Sequence, residues 1–289
     1  MYSAFLPKLS DINHTNQQIF SQLYYSIETL TDTGYSGKVF LFYDADVDIK
    51  NFLYKKKYSL KKFSNLVCVR ANYDENIIKK TKCAFHKWYY LKLFYDKFKF
   101  NRVLCVDNDT IFNKNPEIIF NENSDLDVFY GKQYRWNDDL IKEKLNMEAQ
   151  CLNTGQFLVS SKIMQVLGDK FLEDVLENYF LTLKITNEFK KDLAGHMIWI
   201  GEEYAITKTL EEKKIKIINL SDKYATYSGV NKKPVFCHYY SCNTRNAVPE
   251  EYWSIHTSER TVTWYSHLAE KETKKIEKFQ PILNFYKKS

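Results

Sequence analysis

Through its first half the chain alternates short runs rich in Val, Leu, Phe and Tyr with longer stretches of helical spacing. Runs that are apolar throughout suit strands covered on both faces. Helical stretches between them are the usual connection of parallel strands, so the pattern predicts an α/β fold. The expected strands are Tyr2 to Leu6, Lys38 to Tyr43, Asn65 to Val69 and Arg102 to Val106, with helices over Asn13 to Leu30 and Cys83 to Phe98. Beyond position 110 the spacing is less regular. Strands are expected at Asp127 to Gly131, Gly155 to Ser160, Ile215 to Leu220 and Pro234 to Tyr240. A long helix is expected over Ser161 to Leu183, capped by Ser160 or Ser161, and a short one over Glu202 to Leu210.

With 289 residues, only 8 Gly and 5 Pro, no Gly/Ser tether and no internal repeat, the chain reads as continuous. Residues 1–245 are expected to form one domain, with 246–289 a basic, aromatic helical extension packed on it. No apolar run reaches the roughly 18 residues that span a bilayer, and the start lacks the pattern of a signal peptide. The six cysteines contain no CxxC pair and read as free thiols of a reducing compartment, so the expected location is cytoplasmic. A net charge of +6 is concentrated partly in the tail, where Lys271, Lys274, Lys275, Lys278, Lys287 and Lys288 alternate with apolar residues. Such a tail is a solvated amphipathic helix first, and a peripheral membrane contact second. No nucleic-acid-binding motif and no single long Lys stripe is present, so nucleic acid is not an expected partner.

The strongest local signal is Arg102-Val-Leu-Cys-Val-Asp107-Asn108-Asp109. An apolar strand ending in acids at i and i+2 sets two carboxylates at a strand's carboxyl end, where open α/β sheets bind ligands. The two repel unless a cation lies between them, and a hard divalent ion sharing phosphate oxygens is the usual solution. The competing explanation is a turn in which Asp and Asn bond their own backbone. A second acidic pair, Asp44 and Asp46, ranks lower and reads as a surface turn.

After the acidic turn come Leu152-Asn153-Thr154-Gly155, then Glu202-Glu203, then Cys237-His238-Tyr239. This order over residues 1–245 resembles the GT-A glycosyltransferases, and among them the family 8 enzymes related to glycogenin and the bacterial lipopolysaccharide galactosyltransferases. The resemblance implies a single nucleotide-binding α/β domain with a mixed, mainly parallel central sheet flanked by helices. It also implies an enzyme that moves a sugar from a nucleoside diphosphate sugar, UDP-hexose first, to a glycan, lipid-linked sugar or protein acceptor, with retention of configuration. By the same resemblance Asp107, Asp109 and His238 would hold Mn²⁺ or Mg²⁺, and Asn108 would lie at the nucleotide-sugar site. Lys87, Asn153, Gly155 and Arg245 would bind the donor, and Glu202 or Glu203 would lie beside the reacting carbon. The G-x-x-K-P-W ending of the family is absent around Arg245, and Glu202-Glu203 replaces the usual D-Q-D.

The residues also fit plainer roles. His238 alone is a strand-end histidine, Lys87 a solvated lysine, Asn153-Thr154-Gly155 a turn before a strand, and Glu202-Glu203 acids at a helix N-terminus. The alternatives to a glycosyltransferase are a sugar-phosphate nucleotidyltransferase, whose Gly-rich basic loop is missing after the first strand, and a noncatalytic sugar- or nucleic-acid-binding protein.

Overall fold

The computed structural model describes residues 1–5, 23–24, 26–44, 49–51, 59–71, 85–108, 110–133, 138–190, 194–227 and 234–238. Asp46, Asp109, Tyr239, Arg245 and the expected extension 246–289 lie outside the described residues. The chain divides into two compact units. One comprises Met1, Tyr73–Val106 and Glu122–Ser221, the other Tyr2–Asn72, Asp107–Asn121 and Asp222–Ser289.

The second unit begins with three parallel strands close to the positions expected: β1 (Tyr2–Phe5), β2 (Val39–Asp44) and β3 (Leu66–Arg70). Residues 26–32 are helical (α1), and Thr29 of this helix accepts the backbone N–H of Phe112 on its side-chain oxygen at 3.2 Å. A second sheet of this unit joins β5 (Thr110–Phe112), β10 (Phe236–His238) and β9 (Ala225–Tyr227). β10 lies antiparallel to β5 and parallel to β9, and its register sets His238 opposite Thr110.

The first unit is built on a four-stranded mixed sheet in which β4 (Arg102–Val106) and β6 (Val128–Gln133) flank β7 (Leu152–Ser160). β4 has the predicted boundaries. β7 runs antiparallel to it, so the acidic turn follows a strand of a mixed sheet, as the resemblance implied. β8 (Lys216–Asn219) completes the sheet beside β6 in parallel.

Two helical expectations are corrected. The stretch after Ser160 is broken into α5 (Ser161–Leu167) and α6 (Phe171–Phe189), the other helices being α2 (His86–Phe98), α3 (Glu117–Glu122), α4 (Asp139–Leu145) and α7 (Ala194–Glu212). Gly168 makes the break, with φ at 71° and its N–H on the carbonyl of Met164, a left-handed stop that a glycine adopts at little cost. Ser160 is the N-cap, accepting the N–H of Ile163 at 3.1 Å. The helix expected over Glu202 to Leu210 is 19 residues long and begins at Ala194, so Glu202 and Glu203 lie in its middle rather than at its N-terminus. Gly201 invites the shorter assignment. Its lack of a side chain serves packing instead, since a Cβ there would lie 3.2 Å from the ring of Tyr179 on α6.

On one face of the sheet Trp88 of α2 stacks on Phe157 of β7 at 4.8 Å between centroids, and Phe157 in turn stacks on Phe129 of β6 at 5.3 Å. Fully buried aromatic stacking of this kind fixes α2 over the middle of β7. Position and rotation of α2 therefore follow from apolar burial, and they carry Lys87 with them.

Candidate functional site

β7 is irregular where it carries the Asn153-Thr154-Gly155 segment. Lys132 pairs with Asn153 while the preceding Gly131 pairs with Phe157, so Thr154, Gly155 and Gln156 have no partner on β6. The segment is thus a bulge inside a nine-residue strand and not a turn before one. Its backbone groups are buried, and a buried N–H or C=O without a partner is costly, so something else must pair them.

Side chains from three elements do so. Glu203 of α7 accepts the N–H of Thr154 at 3.2 Å and the side-chain amide of Asn153 at 2.9 Å, both on Oε1. Asn153 accepts the N–H of Gly155 at 3.0 Å on its own Oδ1. Lys87 of α2 donates from Nζ to the carbonyl of Thr154 at 2.9 Å and to its hydroxyl at 3.3 Å. One turn along α7, Thr207 accepts the N–H of Leu152 at 3.0 Å. Lys87, Asn153, Thr154, Glu202 and Glu203 are all buried, so Lys87 is not the solvated lysine of the plainer reading.

Glu202 points elsewhere, accepting the indole N–H of Trp88 at 3.0 Å on its own Oε1. Consecutive helix residues diverge by about 100° around the axis, which separates the two carboxylates. The sequence does not tell the two apart, and it assigns no individual role to Trp88 or to Thr154 within its N-T-G segment. Sequence reasoning also missed Lys132, a buried lysine whose Nζ donates to the carbonyl of Leu220 at 3.1 Å. The available signal was a lysine inside the apolar run Val128-Phe-Tyr-Gly-Lys132.

The bulge and its carboxylates bear on neighbouring groups. Burial pushes the thiol of Cys151 well up, and the negative charges of Glu203 and Glu202 add to the shift. Burial likewise raises the phenol of Tyr204, whose Oη accepts the N–H of Asp138 at 2.9 Å, and that of Tyr2. Each group releases its proton more readily in the unfolded chain, so above the ordinary thiol value of about 8.5 the unfolded chain holds fewer protons and stability falls. The contribution is complete below that pH and is lost as pH rises, first through the thiol and beyond about 10 through the tyrosines. Urea midpoints at about pH 8, 9.5 and 10.5 should decline in two stages, and Cys151→Ala should flatten the first.

In the second unit the acidic turn comes directly after β4. Asn108 Oδ1 and Thr110 Oγ1, on either side of Asp109 in sequence, are buried and have no hydrogen-bond partner among the described residues. The β5–β10 register sets the backbone of His238 opposite Thr110, one residue from Asp109. Among the described residues no group of three His, Cys, Asp or Glu could hold a metal; Asp109 and the His238 side chain lie outside them. By chemistry alone, the carboxylates of Asp107 and Asp109 and the imidazole of His238 are donor types that suit a hard or borderline divalent ion, Mn²⁺ or Mg²⁺.

No family model matches the chain, and no curated protein matches it in sequence. Its fold is nevertheless similar to that of solved structures. The galactosyltransferase LgtC, in complex with donor and acceptor sugar analogs, aligns over 98% of this chain and 99% of that one, with a TM-score of 0.52 and 13% identity. An active-site variant of LgtC gives a TM-score of 0.54 at 12% identity over the same shares. The chain has the GT-A glycosyltransferase fold. The glycosyltransferase GlyE of Streptococcus pneumoniae TIGR4 aligns with a TM-score of 0.50 and 11% identity over 93% of this chain and 63% of that one. Among the described residues no helix is long and apolar enough to cross a membrane.

Proposed function

We propose that the protein is a metal-dependent glycosyltransferase that moves a hexose from a nucleoside diphosphate sugar, UDP-linked, to a glycan, lipid-linked sugar or protein acceptor with retention of configuration. The observation that carries this reading is the convergence of three separately recognised motifs. Lys87, the N-T-G segment and Glu203 stand about 50 or more positions apart in sequence and share one buried hydrogen-bond network. The likeness over nearly the whole chain to a galactosyltransferase supports the same reading.

In this proposal Asp107, Asp109 and His238 hold the metal, with Asn108 beside it. When bound, the ion supplies positive charge that offsets the charge developing on the departing diphosphate. Arg245 grips the same diphosphate through paired hydrogen bonds. Glu203 is a positioning residue for the N-T-G bulge, against which Asn153, Gly155 and Lys87 orient the donor sugar. Glu202, oriented by the Trp88 indole, is the carboxylate beside the reacting carbon, where it stabilises developing positive charge.

Thermal shift and Mn²⁺ titration test this together. UDP with Mn²⁺ should raise the melting temperature well above either alone, by an amount that grows with ligand concentration, whereas oligonucleotides should not raise it. At saturating UDP, His238→Ala should weaken Mn²⁺ affinity by about tenfold or more, as expected for a lost charge-linked contact of about 1.5 to 3 kcal/mol. Equal Mn²⁺ affinity in the two proteins would remove His238 from the site.

A further inference from the structure

Among the described residues, one side chain of the bulge has no hydrogen-bond partner. Gln156 follows Gly155 in β7 and is fully buried, yet among the described residues neither Nε2 nor Oε1 has a hydrogen-bond partner. Its neighbours contrast with it. Asn153, the N–H and C=O of Thr154 and the N–H of Gly155 all have partners, supplied by Glu203, Lys87 and Asn153 itself. The next residues, Phe157, Leu158 and Val159, are apolar and buried, so a Leu or Met would suit position 156 without leaving a donor and an acceptor stranded.

The position is specific. Gln156 pairs with Val106, the last residue of β4 and the one before Asp107. It has no partner on β6, so the backbone around it breaks fewest ladder bonds if it shifts to admit a group. A carboxamide with both ends open asks for a partner that accepts one hydrogen bond and donates another. A phosphate offers only acceptors and would leave Oε1 stranded, and a cation would satisfy Oε1 alone. A hydroxyl does both, and a contact to the donor's ribose or base in place of its sugar would show as a loss of affinity for UDP itself.

We propose that Gln156 is a specificity-determining residue whose carboxamide reads a hydroxyl of the donor sugar. The assignment rests on the glycosyl-transfer reading and deepens it. Gln156, unpaired among the described residues, is satisfied by a donor whose hydroxyl reaches it, so its burial becomes discrimination between epimeric sugars.

The test compares wild type with Gln156→Met and Gln156→Leu. Melting temperatures of the ligand-free variants should equal or exceed that of wild type, because a stranded amide is removed. Calorimetry with Mn²⁺ and UDP, UDP-glucose, UDP-galactose or UDP-N-acetylglucosamine then reads the sugar's share of binding. Affinity for UDP should stay within about twofold, while the wild-type preference between the sugars should shrink by about tenfold in both variants. Preference retained in both variants, or absent from wild type, overturns the role of Gln156 while UDP binding leaves the glycosyl-transfer reading in place. Failure of wild type to bind UDP overturns both.

Discussion

Asp109→Asn should abolish sugar transfer, with a loss on the order of 10³-fold or more, while the ligand-free protein keeps or gains stability. The sign of the stability change distinguishes a ligand from a structural residue. In the proposed site, carboxylates at 107 and 109 would repel one another when no cation lies between them, so neutralising one would relieve that repulsion in the metal-free protein. A turn whose Asp bonds its own backbone gives the opposite result, because Asp109→Asn would then weaken an acceptor and lower the melting temperature. Stabilisation by UDP with Mn²⁺ should disappear in the variant. Asp44→Asn, at the end of β2, is the control and should leave transfer within about twofold. Transfer that survives Asp109→Asn in the presence of chelator would remove the metal from the reaction.

What the sequence revealed follows from the range of the forces involved. β4 was legible to the residue, because an apolar run bounded by Arg102 and Asp107 has its limits written locally. The cap at Ser160 was equally local. The helix break at Gly168 was hidden by apolar periodicity that continues in phase from Leu167 to Phe171, while only the backbone angle of one glycine interrupts it. Gly201 misled in the reverse direction, since its value is to Tyr179 on another helix and a single sequence does not display that neighbour.

The candidate site divides in the same way. Residue types were readable: a basic residue on α2, an Asn-Thr-Gly segment and an acidic pair each carry a local signature. The bulge was not, because it exists only in the register of β7 against β6, a strand more than twenty residues earlier. Without the bulge there was no reason to expect Glu203 and Lys87 to pair backbone groups, nor to separate Glu203 from Glu202. Gln156 did leave a trace, an amide directly before the apolar run Phe157-Leu-Val159, but its meaning depends on its having no partner among the described residues in three dimensions.

The separation of the two glutamates leads to the second large effect. Glu203→Ala should lower transfer by about 10²-fold or more and destabilise the protein by about 2 to 4 kcal/mol, because it strands two buried donors, the N–H of Thr154 and the amide of Asn153. Glu203→Gln retains an oxygen at the place of Oε1 and can still accept both bonds, so it should recover most of the stability and bring transfer to within about tenfold of wild type. That rescue is what a positioning residue predicts. A carboxylate that stabilised charge on the reacting carbon would lose its effect in Gln as fully as in Ala, whatever the fold retained. Urea unfolding and kcat measured on the same two variants therefore separate the roles. If Glu203→Gln folds like wild type but is as inactive as Glu203→Ala, the charge of Glu203 acts in the chemistry, and Glu202, held by Trp88, takes the supporting part.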